Sequence, residues 1–245
     1  MGSAEFDNIH DKLIIHSHII TYGNGANDEI TELIRDEIET MWNEPEALIF
    51  IDSKAILISF NITAECKPVI TPVEIFENTD PRNNYFRIEE YAANNISFVD
   101  GLGCNSGYFK VENLYKGSTT AAHEYGHTLG LDHPHDLDLR GKGVPGIMFP
   151  RGTLVDSVFQ YNPAGKAGDS SNGGTMHPKN RRVRTQDIEL LKLHKLDFEK
   201  IDLDTANFKG PRFDTLSAEN SWAILGEFTS LWHPDHRTLN DPNLA

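Results

Sequence analysis

Three histidines and a glutamate lie within the short stretch HEYGHTLGLDH, which runs from His123 to His133. Residues four apart lie on the same face of an α-helix, so His123 and His127 can present two imidazole nitrogens to one metal ion. Glu124 is rotated away from that direction, yet it lies near enough to reach a water molecule beside the ion. The spacing therefore predicts a metal site with an acid–base residue next to it.

The third histidine joins this site only if the helix ends before it. Gly130 can adopt a positive φ without steric cost, so the chain can leave the helix there and turn back. His133 would then reach the metal from the other side. Catalytic zinc takes three protein ligands and keeps a fourth position for water, whereas a structural site is closed by a fourth ligand, commonly cysteine. Since no cysteine lies near the motif, an open Zn²⁺ site is favoured.

Other metal-binding patterns in the sequence are weaker. His16 and His18 would share one face of a strand, but surface histidines are far commoner than such ligand pairs. Three aspartates near the motif resemble a calcium loop only loosely, and hydration of an exposed loop explains them as well; they are Asp132, Asp136 and Asp138. Zn²⁺ is therefore the expected cofactor, and Ca²⁺ is the weaker alternative.

Charge and composition restrict the partners of the chain. It has 245 residues and a formal net charge of -15 at pH 7, whereas a nucleic-acid-binding surface needs clustered Lys and Arg. The one locally basic stretch, KNRRVR from Lys179 to Arg184, is interpreted as a solvated loop. No apolar run approaches the length of a transmembrane helix. We expect neither a nucleic-acid partner nor a membrane span.

The cysteines and the first residues leave the cellular location open. Cys66 and Cys104 form either a single disulfide or two free thiols, and the sequence does not choose between them. The start MGSAEFDNIH lacks the basic and apolar segments of a secretory signal. Because MGS is typical of a cloning scar, a signal is presumed to have been removed, and residues 1–6 are expected to be disordered.

The helices that would position the motif are recognisable from their periodicity. From Asn27, the sequence NDEITELIRDEIETMW places apolar residues at intervals of three and four with acids in the first turn, which predicts an amphipathic helix. STTAAHEYGHTLG predicts a second helix with Ser118 as its N-cap and Gly130 at its end. TQDIELLKLHKL, from Thr185, predicts a third.

The strands are indicated by β-branched and aromatic runs. LIIHSHIITY predicts one strand, ALIFIDSKAILISFNITAEC predicts a hairpin around DSK, and ISFVDGLG and SGYFKVENL predict two more. YFRIEEYAANN fits a short helix or a strand. Residues 132–184 are rich in glycine and proline and have little periodicity, which in a compact domain usually marks a functional loop.

The motif resembles the signature of the metzincin metallopeptidases, in which HExxHxxGxxH is followed by a methionine in a tight turn beneath the metal. The resemblance implies a zinc endopeptidase that hydrolyses polypeptide substrates. It implies His123, His127 and His133 as metal ligands and Glu124 as the general base. An extended substrate is expected to add to an edge strand near residues 106–111.

Two methionines compete for the turn. Met148 of GIMFP is preferred to Met176 of GTMHP, because its distance from the third histidine is nearer to the family's usual span. A proline after the third histidine, here Pro134, is found in serralysins. Serralysins and astacins have a tyrosine two residues after the turn methionine, whereas this chain has Pro150 there, which resembles matrixins. The chain is therefore expected to be an outlying metzincin of bacterial type, in which Tyr161 is a candidate to replace the missing tyrosine.

The resemblance also implies an architecture. We expect an α+β fold with a twisted, mostly parallel sheet and two helices in an upper subdomain, followed after Gly130 by an irregular lower subdomain that ends in a C-terminal helix. The catalytic domain is expected over residues 7–200, and a C-terminal tail or extension over residues 201–245.

A weaker resemblance concerns that tail. Some metzincins are the enzymatic subunit of bacterial AB-type toxins and dock on a ring of binding subunits through a C-terminal tail. The acidic chain with its tail is similar, which implies a toxin-type binding partner as the alternative function. Both resemblances imply a secreted or periplasmic location.

Overall fold

The computed structural model describes residues 1–234 except residues 8, 52, 92–95, 197, 201–220 and 228. Within this part of the chain, the strands form a single nine-stranded sheet. They are β1 (Gly2–Asp7), β2 (Lys12–Tyr22), β3 (Leu48–Ile51), β4 (Lys54–Cys66), β5 (Asn83–Glu89), β6 (Phe98–Val99), β7 (Ser106–Lys110), β8 (Glu199–Lys200) and β9 (Ser221–Leu225).

The centre of the sheet is parallel. β4, β2, β5 and β7 are parallel neighbours, and the remaining strands pair in antiparallel fashion around them. The prediction of an α+β fold with a mostly parallel sheet is therefore confirmed.

The α-helices of the described residues are α1 (Asp28–Asn43), α2 (Pro72–Phe76), α3 (Thr120–Thr128) and α4 (Thr185–Leu190). α1 begins at Asn27, whose side chain accepts the backbone N–H of Ile30 at 2.9 Å. Its buried stripe includes Trp42, which donates from Nε1 to the carbonyl of Ala122 in α3 at 3.1 Å. None of these helices combines the length and apolarity that crossing a bilayer requires.

The start of the chain differs from the prediction. Residues 1–6 were expected to be disordered, but Gly2–Asp7 forms β1, which pairs with β2 on one side and β9 on the other. Ala4 lies in the hydrophobic core. Two flanking strands satisfy the backbone groups of β1, which gives this segment an ordered place that its own short sequence does not indicate.

The C-terminal region was predicted to be a separate tail, but its described residues pack against the rest of the domain. β9 belongs to the sheet, and Glu227 donates its backbone N–H to the carbonyl of Gly103 at 2.8 Å. Further along, the carbonyl of His233 accepts a hydrogen bond from Arg87 Nη1 at 2.7 Å. A domain boundary at residue 200 is therefore wrong for residues 221–234, whereas residues 201–220 and 235–245 lie outside the described residues.

The segment 106–111, which was expected to be an edge strand, contains β7, and β7 has another strand on its outer side. β7 pairs with β6 through Phe98 and Tyr108, and Lys110 donates its backbone N–H to Ser97 Oγ at 3.1 Å. The edge strand next to the histidine motif is therefore β6 and not the segment 106–111.

The region after α3 is irregular, as predicted. Between Leu131 and Arg184 the chain forms turns, isolated bridges and short 3-10 helices. The irregular region ends at α4. This helix is shorter than the one predicted from Thr185, and a 3-10 turn follows it over residues 193–195.

Candidate metal centre and active site

The three histidines of the motif converge on one point. Nε2 of His133 lies 3.1 Å from Nε2 of His123 and 3.2 Å from Nε2 of His127, and candidate ligand atoms of all three lie within 4.8 Å of one another. His123 is buried, His127 is half-buried and His133 is exposed. The cluster is therefore open to solvent on the side of His133.

The helix ends so that the third histidine can return. Gly130 has a φ of +93°, its N–H donates to the carbonyl of His127 at 3.0 Å, and Leu131 donates to the carbonyl of Gly126 at 3.0 Å. These two bonds form a Schellman motif, in which a glycine at positive φ reverses the chain direction. The predicted end of the helix at Gly130 is confirmed.

Hydrogen bonds fix the orientation of two of the rings. Nδ1 of His123 lies 2.7 Å from the carbonyl oxygen of Ile147, and Nδ1 of His127 lies 2.7 Å from that of Leu131. A carbonyl oxygen can only accept, so the proton of each ring is on Nδ1 and the lone pair is on Nε2. Lone pairs that face one another at such short distances repel unless a cation lies between them. The geometry therefore fits a metal ion.

The electrostatic surroundings favour the ligating form of these histidines. Burial is the largest cause that lowers the pKa of His123, well below its ordinary value, and of His127 and His133. The positive charge of Arg181 lowers all three pKa values further. The rings are consequently neutral at neutral pH, as metal ligands must be, and an imidazole set suits zinc, copper, iron or nickel.

Met148 lies directly beneath α3. It is buried and belongs to a turn in which Phe149 donates to the carbonyl of Gly146 at 3.3 Å. A Cβ at position 126 would overlap Met148 Sδ, so only glycine in the helix allows the turn to approach so closely. Met176, the other candidate, is also buried, but its N–H bonds to Thr153 in the lower region at 3.1 Å.

Glu124 faces the sheet edge that borders the cluster. The backbone N–H of Val99 in β6 lies near enough to its carboxylate to lower its pKa. Burial raises the pKa of Glu124 to about 8, opposed by the charge of Arg181, the bond from Val99 and the charge of Arg151. A cation held by the histidines would also oppose the effect of burial, because a nearby positive charge favours the carboxylate.

Arg181 is a site residue that sequence reasoning missed. It belongs to the stretch KNRRVR, interpreted as a solvated loop, yet it is only 4% exposed. Nε donates to Thr119 Oγ1 at 3.0 Å and Nη1 donates to the carbonyl of Phe149 at 3.2 Å. Burial lowers the pKa of Arg181 to about 10. The guanidinium thus joins the start of α3 to the turn of Met148, and no local pattern in a basic stretch indicates such burial.

The start of α3 also differs from the expected simple cap. Ser118 Oγ accepts the N–H of Thr120 at 3.2 Å, but the residue at the cap position is Thr119, with a φ of +64°. A carboxylate oxygen of Glu37, in α1, accepts the N–H of Ala122 at 3.2 Å. Part of the cap is therefore supplied by another helix.

The two cysteines are free thiols. Cys66 ends β4, and Cys104 lies just before β7, so β2 and β5 separate their strands. Three strand spacings amount to about 14 Å, whereas a disulfide requires Cα atoms within about 7 Å. The alternative of a disulfide between these residues is therefore not realised.

The weaker candidates lie apart from the histidine cluster or have other partners. His16 pairs with Glu5 at 2.7 Å and His18 with Glu65 at 3.3 Å. Of the acidic loop, Asp132 accepts the N–H of His133, while Asp136 and Asp138 pair with Lys142 and Arg140. Tyr161 is exposed and contacts His177, with ring centroids 4.5 Å apart and the rings tilted by 33°.

No protein-family model matches the chain, and no curated protein matches it significantly. The resemblance to metzincins therefore rests on the eleven-residue motif. At this motif the structure brings together three convergent imidazoles and a buried glutamate, and Met148 packs beneath α3.

Proposed function

We propose that the protein is a zinc-dependent endopeptidase of the metzincin type. The observation that carries the proposal is the convergence of three Nε2 atoms beside a buried carboxylate, in a site that stays open on one side. Structural zinc sites are closed by a fourth protein ligand, whereas catalytic ones keep a position for water or substrate. An open set of three histidines next to Glu124 supports the catalytic alternative.

Under this proposal, six residues around the site have roles in metal binding. His123, His127 and His133 would hold the metal, and the carbonyls of Ile147 and Leu131 keep two of these rings in the ligating tautomer. Zinc bound there supplies Lewis-acid chemistry, which polarises a scissile carbonyl and makes a water molecule more acidic. Met148 supports the ligands from below through its contact with Gly126.

Glu124 is the proton carrier of this proposal. As a carboxylate it takes a proton from the attacking water, and as a carboxylic acid it gives the proton to the leaving amine. The N–H of Val99 favours the carboxylate form, because it lowers the pKa of Glu124. Burial, opposed mainly by the charge of Arg181, sets the pKa of Glu124 at about 8 in the absence of metal, and a bound cation would lower this pKa. A raised pKa brings the two protonation states of the side chain closer in free energy near neutral pH, and a general acid–base needs both states.

The substrate would bind along β6. This strand pairs with β7 on one side, and Val99 connects it to Glu124. A polypeptide that extends the sheet at this edge would place its backbone across the histidine cluster, with main-chain hydrogen bonds as the source of affinity.

The test separates metal binding from proton transfer. Glu124→Ala should retain zinc and the fold but lose cleavage of casein or a peptide library by several orders of magnitude, whereas His127→Ala should lose zinc as well. His10→Ala, which changes an exposed histidine, is the matched control and should behave as the parent. Zinc content is measured by atomic absorption and cleavage by mass spectrometry. If Glu124→Ala cleaved as fast as the parent, the proposal would fail.

A toxin-type partner for the C-terminal residues is a second proposal. Residues 221–234 are joined to β1, Gly103 and Arg87, so a docking segment that can be removed without damage must lie beyond them. Deletion of residues 235–245 should then abolish association with a binding subunit and leave peptidase activity intact. Unchanged association would exclude this docking role.

A further inference from the structure

The proposed substrate would lie between β6 and the turn of Met148, and this region is called the cleft below. On its lower side, Arg151 forms no ion pair with a carboxylate among the described residues. Arg151 is exposed, and its Nη2 donates to the amide oxygen of Asn113 at 3.1 Å. By contrast, Arg35, Arg82 and Arg140 form ion pairs with carboxylates. Arg151 thus retains most of its five N–H donors for another partner.

The backbone holds Arg151 at a defined place. The carbonyl of Pro150 accepts both the N–H of Thr153 at 3.1 Å and its hydroxyl at 2.7 Å, which places Arg151 in a tight turn. This turn begins two residues after Met148, so Arg151 is attached to the segment that packs beneath α3. A guanidinium on a fixed backbone loses less entropy when it binds a ligand.

The side chain of Arg151 reaches the upper side of the cleft. Its partner Asn113 is buried and donates from Nδ2 to Ser97 Oγ at 3.1 Å. Ser97 directly precedes β6, the strand whose Val99 contacts Glu124. Arg151 therefore connects the turn after Met148 with the segment that leads into β6.

Other positive charges lie near Arg151 although the whole chain is strongly negative. Its charge lowers the pKa of Glu124, of Arg181 and of His177, so it acts on groups on several sides of the cleft. Lys179 adds a further positive charge that lowers the pKa of His177. The exposed Arg151 and Lys179 therefore add positive charge here in a protein with a net charge of -15, and such charge favours an anionic ligand group.

We propose that Arg151 binds a carboxylate of the substrate, so that the protein prefers polypeptides with an aspartate or glutamate next to the bond that is cleaved. This inference rests on the proposed peptidase function and adds a substrate class to it. The planar guanidinium can bind a carboxylate through two parallel N–H bonds, which a lysine or an amide cannot reproduce.

Matched peptides test the preference. Each pair has capped ends and differs only by Glu or Gln at one position, scanned over the two residues on either side of the cleaved bond. The wild type should cleave the Glu peptide with a kcat/KM about tenfold higher at one of these positions, as expected for charge-assisted hydrogen bonds. Arg151→Gln should reduce the Glu/Gln ratio to near one, and Arg151→Glu should instead favour the corresponding Lys peptide.

Lys166→Gln is the control, because it removes an exposed positive charge from the same lower region and should keep the wild-type ratio. A wild-type ratio near one at every position, or a preference that persists in Arg151→Gln, would overturn the inference. A second measurement does not depend on hydrolysis. Binding of the same peptides to the zinc-loaded Glu124→Gln protein, followed by fluorescence polarisation, should show the same preference and lose it when Arg151→Gln is added.

The two measurements separate the two proposals. If no peptide is cleaved but Glu peptides bind more tightly through Arg151, the peptidase function fails and the ligand class stands. If peptides are cleaved without any effect of Arg151, the peptidase function stands and this inference fails. If neither cleavage nor preferential binding is observed, both fail.

Discussion

A carboxylate oxygen of Glu37 in α1 accepts the backbone N–H of Ala122 in α3 at 3.2 Å, and the other accepts the hydroxyl of Ser118 at 2.9 Å. A negative charge at the start of a helix satisfies free N–H groups and interacts favourably with the helix dipole. The helix that carries His123 and His127 is therefore fixed by a side chain that takes no part in the histidine cluster.

Glu37→Ala should weaken metal binding although it removes no ligand. Loss of a charged cap is expected to lower the free energy of unfolding by about 2 kcal/mol, and looser histidines should bind zinc less tightly. Glu37→Gln retains an acceptor and should lose about half as much. Glu32→Ala, on the exposed side of α1, is the control. Denaturant unfolding and chelator competition measure both effects, and equal zinc affinity in all variants would contradict the argument.

Gly126→Ala should destabilise the protein, although alanine favours an isolated helix by about 1 kcal/mol. The new Cβ would overlap Met148 Sδ and lie 3.2 Å from Trp42 Cζ2, and such overpacking costs about 1–3 kcal/mol. The turn of Met148 should also move away from the ligands. Chemical unfolding and zinc titration are the measurements.

A second substitution should relieve this strain. Met148→Ala alone leaves a cavity beneath α3, but in Gly126→Ala/Met148→Ala the smaller side chain makes room for the new methyl group. The double variant should therefore lose less stability than the sum of the two single variants. Additive losses would mean that the contact between these two residues does not limit the packing.

The elements that could be predicted from the sequence are those whose stabilising interactions lie within their own residues. α1 has its cap, its acids and its apolar stripe within its own residues, and the motif contains both the histidine spacing and the glycine that ends α3. β1 and Arg181 were predicted wrongly because their environment comes from distant segments. β1 is ordered by pairing with β9, more than two hundred residues away in sequence, and Arg181 is buried by its contacts with Thr119 and Phe149.

Truncation after Lys200 should unfold the protein and not merely remove a tail. It would expose one edge of β1, which pairs with β9 from Gly2 to Phe6. It would also remove His233, whose Nε2 lies 2.9 Å from Asp100 Oδ2 and whose carbonyl binds Arg87. Circular dichroism and thermal unfolding should show a loss of the cooperative transition.

Truncation after Pro234 is the matched control, since it keeps every contact just named. His233→Ala tests one of these contacts alone and should lower the melting temperature by several degrees, as expected for a loss of about 1–2 kcal/mol. A soluble, cooperatively folding chain that ends at Lys200 would show that residues 221–234 are dispensable for the fold.

Ionisation of Glu124 should lower the stability of the metal-free protein as the pH rises. Burial raises the pKa of Glu124 from 4.5 to about 8, so folding favours its protonated form. The resulting stabilisation is fully present below pH 4.5 and is lost as the pH rises through 8. Glu124→Gln, which cannot ionise, should be more stable than the wild type by at most about 3 kcal/mol at pH 7, with no difference near pH 4.5. Added zinc should reduce the gap, because the cation favours the carboxylate of the wild type.

Denaturant unfolding of chelator-treated protein at pH 5, 6, 7 and 8 measures the effect, with the exposed Glu189→Gln as control. The difference in free energy of unfolding between Glu124→Gln and the wild type should grow with pH. A constant difference over this range would show that the buried carboxylate of Glu124 does not destabilise the metal-free protein.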